Sequence, residues 1–140
     1  MKGWAKILII LVILAAIGVV LYAMGRDEEV ATTTADMFRV TAPVANAVVR
    51  SPLTVSGEAR GNWYFEASFP VRILDANGKE LGVIPAQAQG EWMTTNFVPF
   101  SISLSFATST TATGVLVLQK DNPSGLPEHD ASVRIPVRFR

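Results

Sequence analysis

Phe100-Ser-Ile-Ser-Leu-Ser-Phe106 places a large apolar side chain at every second position, with serine at each position between. Successive side chains of a strand point to opposite faces, so Phe100, Ile102, Leu104 and Phe106 share one face and Ser101, Ser103 and Ser105 the other. A helix would scatter the same residues around its circumference. The segment therefore predicts one strand of an antiparallel sheet with a buried face and a wet one.

Working outward, residues 64–75 repeat the scheme. Phe65, Ala67, Phe69, Val71 and Ile73 take the inward parity, while Tyr64, Glu66, Ser68 and Arg72 take the outward one. Near the C-terminus Val133, Ile135, Val137 and Phe139 alternate with Ser132, Arg134, Pro136 and Arg138. Proline cannot donate to a ladder, so Pro136 predicts an edge strand or a bulge there. Residues 53–59, 79–88, 114–120 and a short 38–40 complete seven strands, and 91–95 reads equally as strand or loop. Asp75-Ala-Asn-Gly78 supplies a hairpin turn, with Asn77-Gly78 suited to the positive φ of a primed turn. No helical period follows residue 24. Short strands with turn signals every 8 to 15 residues predict an all-β fold, an immunoglobulin-like antiparallel β-sandwich of about seven strands over residues 38–140. A small barrel is the alternative.

The N-terminus has another character. Of the first 24 residues 20 are hydrophobic, and residues 7–24 carry no charge. A helix of that length spans about 27 Å, close to the thickness of a bilayer core. Its twelve Ile, Leu and Val residues favour insertion by roughly 4 to 7 kcal/mol. Lys2 and Lys6 precede the span, whereas Arg26 is followed at once by Asp27, Glu28 and Glu29. That asymmetry predicts a transmembrane signal anchor over residues 1–24, N-terminus cytoplasmic and the remainder extracytoplasmic. The alternative is secretion after cleavage behind Ala23-Met24-Gly25, which also leaves the domain outside. Residues 25–37, polar and acidic with three threonines, read as a flexible linker.

Composition excludes several classes. The chain has no cysteine, which removes thiol nucleophiles, disulfides and thiolate metal sites. Twelve basic residues balance twelve acidic ones, so no global field gathers nucleic acid. His129 is the only histidine, and no G-x-S-x-G elbow sets a serine against it. Nothing in the chain has the spacing of a phosphate loop.

The segments Asn62-Trp-Tyr-Phe-Glu-Ala67, Asp75-Ala-Asn-Gly78, Val98-Pro-Phe100 and Asp121-Asn-Pro-Ser-Gly-Leu-Pro127 occur in that order. They follow the opening Arg39-Val-Thr-Ala-Pro43 and Val49-Arg-Ser-Pro-Leu-Thr-Val-Ser-Gly57. Together they resemble the immunoglobulin-like domain of bacterial spore-germination proteins, over residues 38–140. The resemblance implies an extracytoplasmic sandwich attached to a membrane or to other envelope domains, without catalytic activity. It carries over no catalytic residue and no cofactor.

Two constellations remain as ligand candidates. Trp63, Tyr64 and Trp92 suit a stacking platform for glycans, with Tyr64 on the outward parity, although rings at strand starts also serve as core plugs. Asp121, Asn122, Glu128 and Asp130, beside His129, offer oxygen ligands of the kind calcium takes, without the spacing of a calcium hand. Asp121 and Asn122 also suit a turn before Pro123. Arg134, Arg138 and Arg140, with Arg72 on a neighbouring run, form a basic stripe that suits anionic envelope polymers or protects an edge. The chain is thus expected to be a non-catalytic, membrane-anchored module that binds or scaffolds envelope protein or glycan. A calcium- or glycan-binding module is the alternative.

Overall fold

The computed structural model describes residues 34–140, together with Ile7 and Ile13. The expected membrane anchor, and the expected linker up to residue 33, lie outside the described residues. Among the described residues no helix is long and apolar enough to cross a membrane. The chain divides into two compact units, residues 1–36 and 37–140, and every strand belongs to the second.

Among the described residues eight strands form two sheets. β1 (Phe38–Ala42), β3 (Leu53–Arg60) and β6 (Phe97–Leu104) make a three-stranded antiparallel sheet in the order β1-β3-β6. The other sheet has the order β2-β8-β7-β4-β5, from β2 (Ala47–Val49), β8 (Ser132–Phe139), β7 (Thr113–Gln119), β4 (Ser68–Asp75) and β5 (Glu80–Gln87). Their facing sides bury Val55, Ala59, Val98, Phe100 and Leu104 from the first sheet against Phe69, Val71, Ile73, Leu116, Leu118, Ile135 and Val137 from the second. This is an immunoglobulin-like sandwich, and the serine-spaced alternation of β6 faces Phe100 and Leu104 inward as expected. Phe106 lies beyond the strand and is half-buried.

The eighth strand, β2, was not foreseen. Three residues between Pro43 and Pro52 are too few to show a period, and their pairing is parallel, Ala47–Val49 against Val137–Phe139 of β8. The first strand therefore serves both sheets, breaking at the cis bond Ala42-Pro43 and continuing as β2 on the opposite side. β2 also corrects the reading of Pro136, because β8 is not an edge. The Asn46 N–H donates to the Pro136 carbonyl (2.7 Å), so that residue turns its backbone toward β2 and its missing donor costs the β7 ladder nothing. Residues 91–95 form bends, not a strand.

Two turns depart from expectation. At the β4–β5 hairpin only Gly78 has positive φ (81°), and the Gly78 N–H donates to the Asp75 carbonyl. The Asp75 side chain, buried in the turn, accepts the N–H groups of Asn77 (2.8 Å) and Lys79 (2.9 Å). The connection is a type I turn followed by a left-handed glycine, not a primed turn. The two-residue primed geometry occurs instead at Phe65–Ser68, where the end residues exchange both backbone hydrogen bonds around Glu66 (φ 49°) and Ala67 (φ 66°). The strand thus starts at Ser68, and the alternation does not run back through residues 64–67.

Two substitutions test this frame by urea denaturation. Phe69→Ala removes a fully buried ring that meets three others and is expected to cost about 3–5 kcal/mol, whereas Thr54→Ala on the wet face stays within about 0.5 kcal/mol. Ala67→Gly relieves a left-handed residue bearing a side chain and is expected to stabilise by about 1 kcal/mol. A loss of stability at that position would contradict the turn geometry.

Candidate functional site

The aromatic motif of residues 62–67 folds inward. Gly61–Trp63 form a 3-10 turn at the end of β3, and a side chain on Gly61 would collide with the carbonyl oxygens of Trp92 and Thr94. This bare backbone brings residues 91–96 down on the turn, where the Gly61 N–H donates to the Asn96 carbonyl (3.1 Å). Trp63 is 2% exposed and meets Phe38 edge-on at 4.8 Å. Tyr64 is 3% exposed, packs on Phe69 at 5.1 Å, and its hydroxyl donates to the Val98 carbonyl across the sandwich (2.7 Å). Trp92 is half-buried against the same core.

The glycan platform is therefore corrected for Trp63 and Tyr64: both are core residues, and Phe65 is the exposed ring of the motif. The outward parity assigned to Tyr64 fails because the turn at Glu66 and Ala67 interrupts the strand. Burial also pushes the Tyr64 phenol well above its ordinary pKa, since the anion would lose its hydration there. The Trp63 indole N–H is buried and has no hydrogen-bond partner among the described residues.

The loop of residues 120–131 is closed by its own side chains. Asn122 donates to the Leu126 carbonyl (2.9 Å) and to Asp130 Oδ1 (2.7 Å), and the Asp121 N–H donates to the Trp63 carbonyl. Ser124 Oγ donates to Asn122 Oδ1 (2.5 Å), accepts the Leu126 N–H, and lies 3.0 Å from His129 Nδ1. Among the described residues no three acidic or histidine side chains are placed to hold a metal ion, so Asp121, Asn122, Glu128 and Asp130 are not brought together as a calcium cage. Nor does any carboxylate pair with His129 among the described residues, and the Ser124–His129 contact is one bond of an exposed loop network.

A different cluster assembles on the outer face of the five-stranded sheet. The registers place Val83, Arg72, Val117 and Arg134 side by side across β5, β4, β7 and β8. Arg72 bonds Glu80 (3.0 Å) and Gln119 (2.7 Å), whereas Arg134 has no ion pair among the described residues. Val117 is buried although it lies on the outer face, with an arginine opposite it on either side. Arg138, four residues further along β8, stands opposite Val48 of β2 and donates to the Asn46 carbonyl (3.0 Å), and Val48 and Val83 are 51% and 49% exposed. A hollow of about 400 Å³ opens beside Arg134 and Val117. The expected basic stripe included Arg72 with Arg134 and Arg138, whereas Val83 and Val117 join it only through pairing between distant strands.

Tyr64→Phe deletes the bond to Val98 and is expected to cost about 1–3 kcal/mol by leaving a buried carbonyl unpaired. The unfolded phenol ionises near pH 10, and the folded one only at higher pH. Above about pH 10 the unfolded state therefore holds fewer protons, and the advantage of the native chain over the variant shrinks as pH rises. Paired urea titrations at pH 8 and at pH 11 check this, and an advantage independent of pH would contradict a buried phenol.

Comparison with known proteins follows the same division of the chain. A family model for the immunoglobulin-like domain of bacterial spore germination matches residues 37–126, from the start of β1 into the closing loop. No curated protein and no solved structure matches the chain. The match covers the motif at residues 62–67 and the β4–β5 hairpin, and ends within the Asn122 loop before β8. As an immunoglobulin-like domain of this family, the module is non-enzymatic. With most of its length matched, this chain belongs to the family of immunoglobulin-like domains of bacterial spore germination.

Proposed function

We propose that the chain is a membrane-tethered, extracytoplasmic module of the bacterial envelope that holds an acidic protein partner on the outer face of its five-stranded sheet. The tether rests on the uncharged residues 7–24 and the flanking lysines, and the outward location on the acidic residues that follow Arg26. The family match supports the envelope setting.

One observation carries the docking role, the contrast between the two outer faces. The three-stranded sheet presents Thr54 opposite Ser103 and Ser56 opposite Ser101, and further along the same face Arg39 and Arg60 stack on the Phe97 ring at 4.0 Å while Arg39 pairs with Glu58 (2.9 Å), so its large side chains are engaged with one another. The five-stranded sheet presents Arg134, without an acidic partner among the described residues, Arg138 opposite exposed Val48, and exposed Val83 next to Arg72 at the other edge. Arginine joined to apolar side chains is the composition of a protein interface, and guanidiniums that have no carboxylate partner select a partner rich in carboxylates. A second copy of the same face would set arginine against arginine.

A photo-activated cross-linking residue placed at Val83 in living cells is expected to trap one partner, and the same residue at Thr54 none. Arg134→Glu with Arg138→Glu should abolish the adduct and leave the melting temperature within a few degrees. Equal trapping from both faces, or trapping that survives charge reversal, would contradict this reading. A phosphatase fused after Arg140 and active only outside the cytoplasm checks the location independently.

A further inference from the structure

The end of the sandwich opposite Phe38 holds a site of different chemistry, independent of the docking face. Two aromatic residues close the core there, Phe106 just after β6 and Phe139 at the end of β8, with ring centroids 5.9 Å apart. Both lie against bare backbone. A Cβ on Gly114 would fall 2.5 Å from Phe139 Cε2, and one on Gly82 would fall 2.9 Å from Phe106 Cβ. The glycines thus let one ring from each sheet settle into the end of the sandwich. Both rings remain half exposed, with Val49 buried beside them.

Above this floor opens a cleft of about 350 Å³, within the usual size of small-molecule sites. Its rim carries Arg50 and Arg140, both exposed and neither in an ion pair among the described residues. Ser51, also on the rim, is already engaged, its hydroxyl accepting the Phe106 N–H (2.9 Å). No acidic side chain lines the cleft. At this end of the fold Asp75 is buried in its turn and Glu80 is bound to Arg72, so neither neutralises the two guanidiniums.

We propose that this cleft binds a small organic anion, its flat or apolar body on Phe106, Phe139 and Val49 and its phosphate or carboxylate on Arg50 and Arg140. The rings supply apolar contact area, and the guanidiniums supply forked donors matched to a carboxylate or phosphate. Neither half suffices alone, because exposed arginines hold free anions weakly in water and an open apolar floor holds neutral rings weakly.

The test titrates the full chain, carried in nanodiscs of zwitterionic lipid, with phenyl phosphate, following amide shifts of Arg50, Ser51, Ser109 and Phe139 by nuclear magnetic resonance. Saturable shifts confined to this end of the fold are expected. Arg50→Gln, at an exposed position, should raise the half-saturating concentration about tenfold, as should replacing phenyl phosphate by phenol or by inorganic phosphate. Adding phosphatidylglycerol vesicles then separates the sources of the anion: they reverse the shifts if it is a lipid headgroup and leave them if it is a soluble metabolite. Shifts that never saturate, that spread over the whole domain, or that Arg50→Gln leaves unchanged would overturn the proposal.

Discussion

The two sheets are joined through the edge-on contact of Phe69 with Phe100, ring centroids 5.1 Å apart, and the rest of the domain is arranged around it. Phe69 belongs to β4 and Phe100 to β6, so this pair spans the sandwich. Phe38 meets both rings and Tyr64 packs on Phe69, which extends the contact from the first strand to the turn after β3. Edge-to-face geometry directs the positive rim of one ring to the negative face of the next, adding about 0.5–1.5 kcal/mol per pair to the burial itself. The Tyr64 hydroxyl then ties this cluster to β6 through the Val98 carbonyl. With no cysteine in the chain, no disulfide joins the sheets, and these rings supply the contact between them.

This arrangement assigns the aromatic motif to architecture and leaves function to what the frame holds outward. Trp63 and Tyr64 face the core, and the bonds of Asn122 and Ser124 hold the closing loop together. The side chains left facing solvent differ by face. One outer sheet surface carries threonine and serine with Arg39 and Arg60 stacked on Phe97, the other carries arginine and valine, and the far end combines two phenylalanines with two arginines. The proposed docking role rests on this distribution.

Alternation in residues 100–106 and 132–139 was enough to reveal the sandwich, because a buried face on each strand imposes a period of two that survives in any register. β2 escaped notice because three residues between two prolines have no measurable period, and its parallel partner lies about ninety residues away. Tyr64 was misplaced for a local reason. Glu66 and Ala67 adopt left-handed backbone without being glycine or asparagine, so the turn that breaks the alternation leaves no trace in composition. The arginine row was half legible: spacing along β8 aligns Arg134 and Arg138 and the neighbouring run supplies Arg72, while the places of Val117 between Arg72 and Arg134 and of Val83 at the edge depend on long-range register.

The account stands or falls on whether the aromatic motif belongs to the core. Hydroxyl-radical footprinting read by mass spectrometry resolves each ring separately in the folded chain. Trp63 and Tyr64 should resist oxidation until the domain unfolds, while Phe65 and Met93, both exposed, react in the native state. Oxidation of Trp63 and Tyr64 at the rate of those exposed residues would show an open aromatic surface and contradict the structural role assigned to the motif.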